Sequence, residues 1–136
     1  SLEDKKIQNL CNEYNIEYLA YSPLALGLLT IPPNEFPKPS TFLRQQLFKR
    51  ILPKTKDLRT LLTNIGKKYS ASQAQVALNW VKSHGAKPIV GIRNPLQAQD
   101  AISALSWSLT KNEKEELDSY RIKCLSYMPQ NPLTSP

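Results

Sequence analysis

Histidine occurs once in this chain and cysteine twice. Cys11 and Cys124 follow no metal-ligand spacing and are too few for a disulfide scaffold, so both read as reduced thiols of an intracellular protein with no metal site. No apolar run approaches the ~18 residues a membrane-crossing helix requires, and the first residues lack the basic-then-apolar order of a signal peptide. The sequence starts at Ser1, not at methionine, which leaves open a targeting segment ahead of it. Two phosphate-binding fingerprints are also missing. With neither Gly-x-Gly-x-x-Gly nor Gly-x-x-x-x-Gly-Lys, any nucleotide must be held by other means.

What is present is a globular composition: 136 residues, 40% hydrophobic and 21% charged, the size of one ordinary domain. The net charge of +7 points to an anionic partner, whether nucleic acid, a membrane surface or a phosphate-bearing cofactor. Basic residues are dispersed except over Lys49–Arg59. A solvated helical face accounts for that run, and no nucleic-acid or membrane partner is expected.

Ile7, Leu10, Cys11 and Tyr14 recur at helical spacing, and Asn15 can close that helix in a left-handed turn. The short apolar run Tyr18–Tyr21 predicts a strand buried on both faces. Four prolines between Ile31 and Ser40 predict an irregular loop. Helices follow over Thr41–Arg50 and along Leu58, Leu61, Leu62, Ile65 and Tyr69. Ser70-x-x-Gln73 has capping-box form and opens a helix with Ala74, Ala77, Leu78 and Val81 on one face, ending near Gly85. Ile89 and Val90 read as a second buried strand. Asn94 and Pro95 fit the cap and first position of a further helix, whose inner face is Ala98, Ala101, Ile102 and Leu105. Thr110-x-x-Glu113 is another capping box, starting a helix over about 111–121 with Leu117 and Tyr120 inward. We divide the chain into a partial domain over 1–124 and a proline-containing tail over 125–136. Strands separated by helices imply a parallel α/β fold, and two strands do not complete such a sheet, so the chain reads as part of a larger domain.

Arg93 lies between a strand's carboxyl end and a helix N-terminus. Unpaired amides and a positive macrodipole favour an anion there, and a guanidinium adds a bidentate donor. Gly91 lets the backbone approach a ligand closely. Gln97 and Asp100, on the first turns of the same helix, offer an amide and a carboxylate to a sugar or an exocyclic amine. The alternative is an arginine that caps its own loop.

Four stretches carry a family resemblance: Tyr21–Thr30 (YSPLALGLLT), Gln73–Trp80 (QAQVALNW), Pro88–Asn94 with Gln97 (PIVGIRN), and Ala104–Thr110 (ALSWSLT). Together, in this order, they resemble the C-terminal half of an aldo-keto reductase over about residues 3–120, most like plant plastid and cyanobacterial-type members. The resemblance implies a TIM (β/α)8 barrel, of which this chain supplies the last two βα units and the C-terminal helix. Its strands would be Leu19–Ser22 and Ile89–Gly91, with the site at their carboxyl ends.

By the same resemblance Tyr21 stacks on a nicotinamide, and Ser22, Pro23, Leu24, Gly27 and Leu29 line the pyrophosphate path. Gly91, Ile92 and Arg93 hold an adenosine 2′-phosphate, with Gln97 and Asp100 at the adenine and ribose. The implied cofactor is NADP and the substrate a small carbonyl compound. The chain departs from the family at Asp100, usually Glu, at Ala101, often Asn, and at Ile31-Pro32-Pro33 in place of Gly-Lys-Tyr. The family's catalytic Asp, Tyr, Lys and His lie on earlier strands. This chain is therefore expected to hold no catalytic residue, to need the missing N-terminal barrel half as its partner, and to be inactive alone.

His84, the sole histidine, reads as a helix-end residue remote from chemistry. Trp80 and Trp107 read as packing residues, and Tyr127 or Met128 in the tail as possible substrate neighbours. The expected location is cytoplasmic, or the plastid stroma in a eukaryote. Nothing in the sequence fixes an oligomeric state. A non-catalytic interaction module derived from a truncated barrel is the alternative reading.

Overall fold

The structure, a computed structural model, describes residues 2–39 and 41–125. Along the chain come α1 (Leu2–Glu13), β1 (Leu19–Tyr21), a 3₁₀ segment (Ala25–Thr30), α2 (Phe42–Ile51), a 3₁₀ turn (Pro53–Thr55) and α3 (Lys56–Lys68). Then follow α4 (Gln73–Ser83), β2 (Lys87–Ile89), α5 (Pro95–Ser103) and α6 (Lys111–Leu125). The two strands pair in parallel, with Leu19 opposite Lys87, Ala20 opposite Pro88 and Tyr21 opposite Ile89. A helical crossover joins them, as a parallel pair demands.

The solid part of the molecule is helical. Leu58, Leu62 and Ile65 of α3 meet Val76 and Ala77 of α4, Leu117 of α6, Phe48 and Ile51 of α2, and Leu28, Leu29 and Ile31 from the segment after β1. Removing a leucine or isoleucine side chain from water contributes about 1.5–3 kcal/mol, so this cluster is the main stabilising mass. Trp80 and Trp107 pack against it as expected. The Trp107 ring stacks on Tyr69 with centroids 4.4 Å apart.

Helix ends follow the local chemistry. Asn15 takes φ +55 and closes α1, with Ile16 N donating to Cys11 O at 2.7 Å. Gly85 at φ +75 stops α4. Thr110 and Glu113 form the expected capping box: Thr110 N reaches Glu113 Oε2 at 3.0 Å, and Glu113 N reaches Thr110 Oγ1 at 3.3 Å. At α4 the cap is Ser72, whose Oγ accepts from Gln75 N at 3.1 Å, and not Ser70. Ser70 sits at φ +50 in the turn leaving α3, and an N-cap needs extended backbone.

The strands differ from expectation in place and burial. β2 is Lys87–Ile89, not Ile89–Gly91, and β1 ends at Tyr21, not Ser22. Pairing opens where Lys87 N donates to Tyr18 O at 2.8 Å and ends where Ser22 turns to φ +51. Neither strand is buried on both faces. Ala20 and Pro88 are half-buried while Leu19, Tyr21 and Ile89 are exposed, because among the described residues each strand has one neighbour. The α5 face is likewise open: Ala98 and Ala101 are half-buried, whereas Ile102 and Leu105 are exposed. The α1 stripe, Ile7, Leu10 and Tyr14, also faces outward.

The basic run Lys49–Arg59 is not one solvated face. It bends through α2, the 3₁₀ turn and α3, and its last member, Arg59, is fully buried. The tail from residue 126, with Tyr127 and Met128, lies outside the described residues. Among the described residues no helix is long and apolar enough to cross a membrane.

Candidate functional site

Because Tyr21 stands opposite Ile89, the turns leaving both strands emerge at one end of the sheet. After β1 the backbone takes positive φ at Ser22 (+51), Ala25 (+48), Leu26 (+57) and Gly27 (+86). Non-glycine residues held there cost about 1–3 kcal/mol each, so the surroundings must over-determine the path. Internal bonds run from Ala25 N to Ser22 O and from Gly27 N to Leu24 O, both 2.9 Å. Thr30 Oγ1 donates to Gly27 O at 2.8 Å. Leu28 and Leu29 plug the segment into the core.

Two arginines grip the same segment from outside. Arg44 of α2 lies over the Phe48 ring and donates from Nη2 to Leu26 O. Glycine suits position 27 for its φ, and a Cβ there would come within 3.2 Å of that Nη2, so the Arg44 head would have to give by a few tenths of an ångström. Arg59 of α3 donates from Nη1 to Pro32 O at 2.7 Å and Ile31 O at 3.2 Å, and from Nη2 to Leu52 O at 2.9 Å. Desolvation lowers the Arg59 pKa below its ordinary value, yet a guanidinium stays charged in proteins. The Nε atoms of both arginines are buried without a partner, which costs further stability.

At the second turn Asn94 Oδ1 accepts from Gln97 N at 2.9 Å, with Pro95 in the first turn of α5, as the sequence predicts. Gln97 Oε1 returns to accept from Arg93 N at 2.9 Å. The main-chain amide of Arg93 is thus what ties the loop. Its guanidinium makes no hydrogen bond or ion pair among the described residues, which argues against the loop-capping alternative. Asp100 is engaged through both oxygens, accepting from Ser72 Oγ and Gln75 Nε2, each at 2.7 Å.

Between the two turns lies a cleft of about 1300 Å³. Nine of the eleven expected site residues line it: Ser22, Pro23, Leu24 and Gly27 on one side, Gly91, Ile92, Arg93, Gln97 and Asp100 on the other. Leu29 does not, being buried in the core, and Tyr21, 65% exposed at the strand end, stands outside the lining. Lys38 and Arg44 also line it, so three cations face one carboxylate there. These two were missed in the sequence. Arg44 had a legible signal, since it shares the spacing of Phe48 and Ile51 and so falls on the inner face of α2. With hydroxyls, amides and cations among its lining residues, the cleft is equipped to hold an anionic ligand.

Two parallel strands joined by a helical crossover, with a cleft at their carboxyl ends, form one portion of an α/β fold. Residues 1–122 match the model of the aldo/keto reductase family, and the chain belongs to that family. It is 38% identical over 116 residues to a chloroplastic pyridoxal reductase of Arabidopsis thaliana, covering 85% of this chain and 32% of that protein. It is 34% identical over 124 residues to aldo-keto reductase str7 of Strobilurus tenacellus, covering 82% of this chain and 36% of that one. The chain thus spans about a third of the length of these curated relatives. The solved glycerol dehydrogenase AKR11B4 from Gluconobacter oxydans superimposes with a TM-score of 0.63 at 23% identity, over 97% of this chain and 42% of that one. The fold is the C-terminal portion of a TIM barrel.

Proposed function

We propose that this chain is the cofactor-binding C-terminal portion of an NADPH-dependent aldo-keto reductase, an oxidoreductase that reduces aldehydes or ketones to alcohols. The observation that carries the reading is the shared cleft, where the Ser22–Gly27 turn faces Arg93 at the N-terminus of α5. A doubly charged phosphate ester fits a guanidinium that makes no hydrogen bond or ion pair among the described residues and stands at the positive end of the α5 dipole. The fit extends to Gly91, beside which a Cβ would meet nothing within 4 Å, leaving room for a ligand at the backbone.

In this reading Arg93, with Gly91 and Ile92, holds the 2′-phosphate, and Gln97 with Asp100 stands at the adenine and ribose. Ser22, Pro23, Leu24 and Gly27 shape the path of the pyrophosphate, Leu29 supports that turn from the core, and Tyr21 orients the nicotinamide face. When bound, the dinucleotide supplies hydride to the carbonyl carbon. The proton comes from groups on the first six strands, which are also the partner that covers the open edges of β1 and β2 and the outward apolar faces of α1 and α5. Residues 1–124 are the barrel part and 125–136 a tail. The protein works in the cytoplasm, or in the plastid stroma, the second reading supported by the chloroplastic relative.

Nicotinamide fluorescence titration of the full-length protein tests this. Wild type binds NADPH more tightly than NADH, and Arg93→Ala weakens NADPH roughly tenfold or more while leaving NADH alone, as loss of charge-assisted bonds predicts. Unchanged affinity for both would sink the reading. The isolated 136-residue chain reduces no pyridoxal or other aldehyde.

A further inference from the structure

We infer that Arg44 and Arg59 are positioning residues that hold the Ser22–Pro32 segment in its strained, ligand-ready path and thereby set dinucleotide affinity. The inference rests on the cofactor reading above, and it extends to two residues outside the turns that touch the ligand in that reading.

Three observations converge. The segment carries positive φ at Ser22 and at Ala25, Leu26 and Gly27, three of them non-glycine residues, a path that relaxes unless it is held. Arg44 bonds the carbonyl of Leu26 at the centre of that stretch and fills the space beside Gly27. Arg59 bonds Ile31 and Pro32 where the segment ends and anchors them to Leu52 at the corner between α2 and the 3₁₀ turn. Every hydrogen bond of these two guanidiniums goes to a main-chain carbonyl. An apolar side chain of similar size would serve packing alone at least as well as a buried charge, so directional bonding to the segment is what arginine adds. A segment ordered before the ligand arrives need not be ordered by it.

The test uses the full-length protein with Arg44→Met, Arg44→Lys and Arg59→Met. In the ligand-free state, exchange of the Gly27, Leu29 and Ile31 amides should quicken about tenfold in each variant, while α3 and α4 amides keep their protection. NADPH and NADH should then both weaken by a similar factor, roughly tenfold, preserving their ratio. Arg44→Lys should behave like Arg44→Met, because a point charge does not replace the guanidinium fork.

Loop exchange that is unchanged in the variants overturns the inference. So does weakening of NADPH alone, or full rescue by lysine, either of which makes Arg44 a direct charge contact. If Arg59→Met does not fold, the half-buried Arg44 carries the test. If wild type binds neither dinucleotide but loop exchange still responds, the latch stands and the cofactor reading fails.

Discussion

Asp100 of α5 accepts a hydrogen bond from Ser72, the residue that caps α4, at 2.7 Å, and its other oxygen accepts from Gln75 at the same distance. Since α5 buries no residue of its own, this carboxylate is a principal tie between the helix bearing the anion turn and the core. Hydrogen bonds to a charged group contribute about 1.5–3 kcal/mol. Asp100→Ala should therefore lower the melting temperature and speed amide exchange along α5, with α3 unaffected. Calorimetry with residue-resolved exchange measures both, and an unchanged α5 would show that the tie is idle.

Gly66 sits inside α3, where alanine is the better helix former by about 1 kcal/mol. Space reverses that preference. The chain turns back over Gly66, with Ala71 N donating to Gly66 O at 2.8 Å, and a Cβ there would lie 2.5 Å from the Ala71 carbonyl oxygen. The clash is with backbone and cannot rotate away. Gly66→Ala should destabilise by about 1–3 kcal/mol, read as a lower urea midpoint.

Acid should loosen α6. Burial by itself pushes the Glu113 carboxyl up, but bonds from the Thr110 amide, the Tyr69 hydroxyl at 2.8 Å, the Thr110 hydroxyl and Lys68 hold it below the ordinary 4.5. The folded value lies below the unfolded one, so the unfolded chain binds the proton more tightly. The stabilisation is full above the unfolded value and is lost as pH falls through the folded one. Asp118 acts in the same direction: burial pushes it up, and bonds from Lys114, Trp80 and His84 more than offset that. Urea midpoints should fall from pH 6 to pH 3, and Glu113→Gln should flatten part of that slope. A variant with the wild-type slope would clear Glu113 of the effect.

Local chemistry was legible in the sequence wherever one residue type has one favourable place. Asn94 before Pro95, Thr110 before Glu113, and left-handed stops at Asn15 and Gly85 all stand as their side chains dictate. The two turns were legible as one site because parallel strands direct both carboxyl ends the same way. Arg59 was read as part of a solvated basic face and Arg44 was passed over despite its place on the inner face of α2, because only tertiary geometry supplies the carbonyls that admit these charges. The spacing in α1 and α5 showed apolar faces that ask for cover, and these faces stand exposed because cover is a property of neighbours that spacing does not specify.

Gly91 separates a backbone requirement from a ligand requirement. Its φ is not in the left-handed range, and an added Cβ would meet no atom within 4 Å. Gly91→Ala should accordingly leave thermal stability within about 0.5 kcal/mol of wild type, the range of substitutions that touch nothing. Gly91 lines the cleft beside Arg93, where the proposed phosphate docks, so an added methyl group competes with the ligand for that space. NADPH affinity of the full-length protein should drop several-fold with the melting temperature unmoved, and retention of full affinity would remove Gly91 from the site.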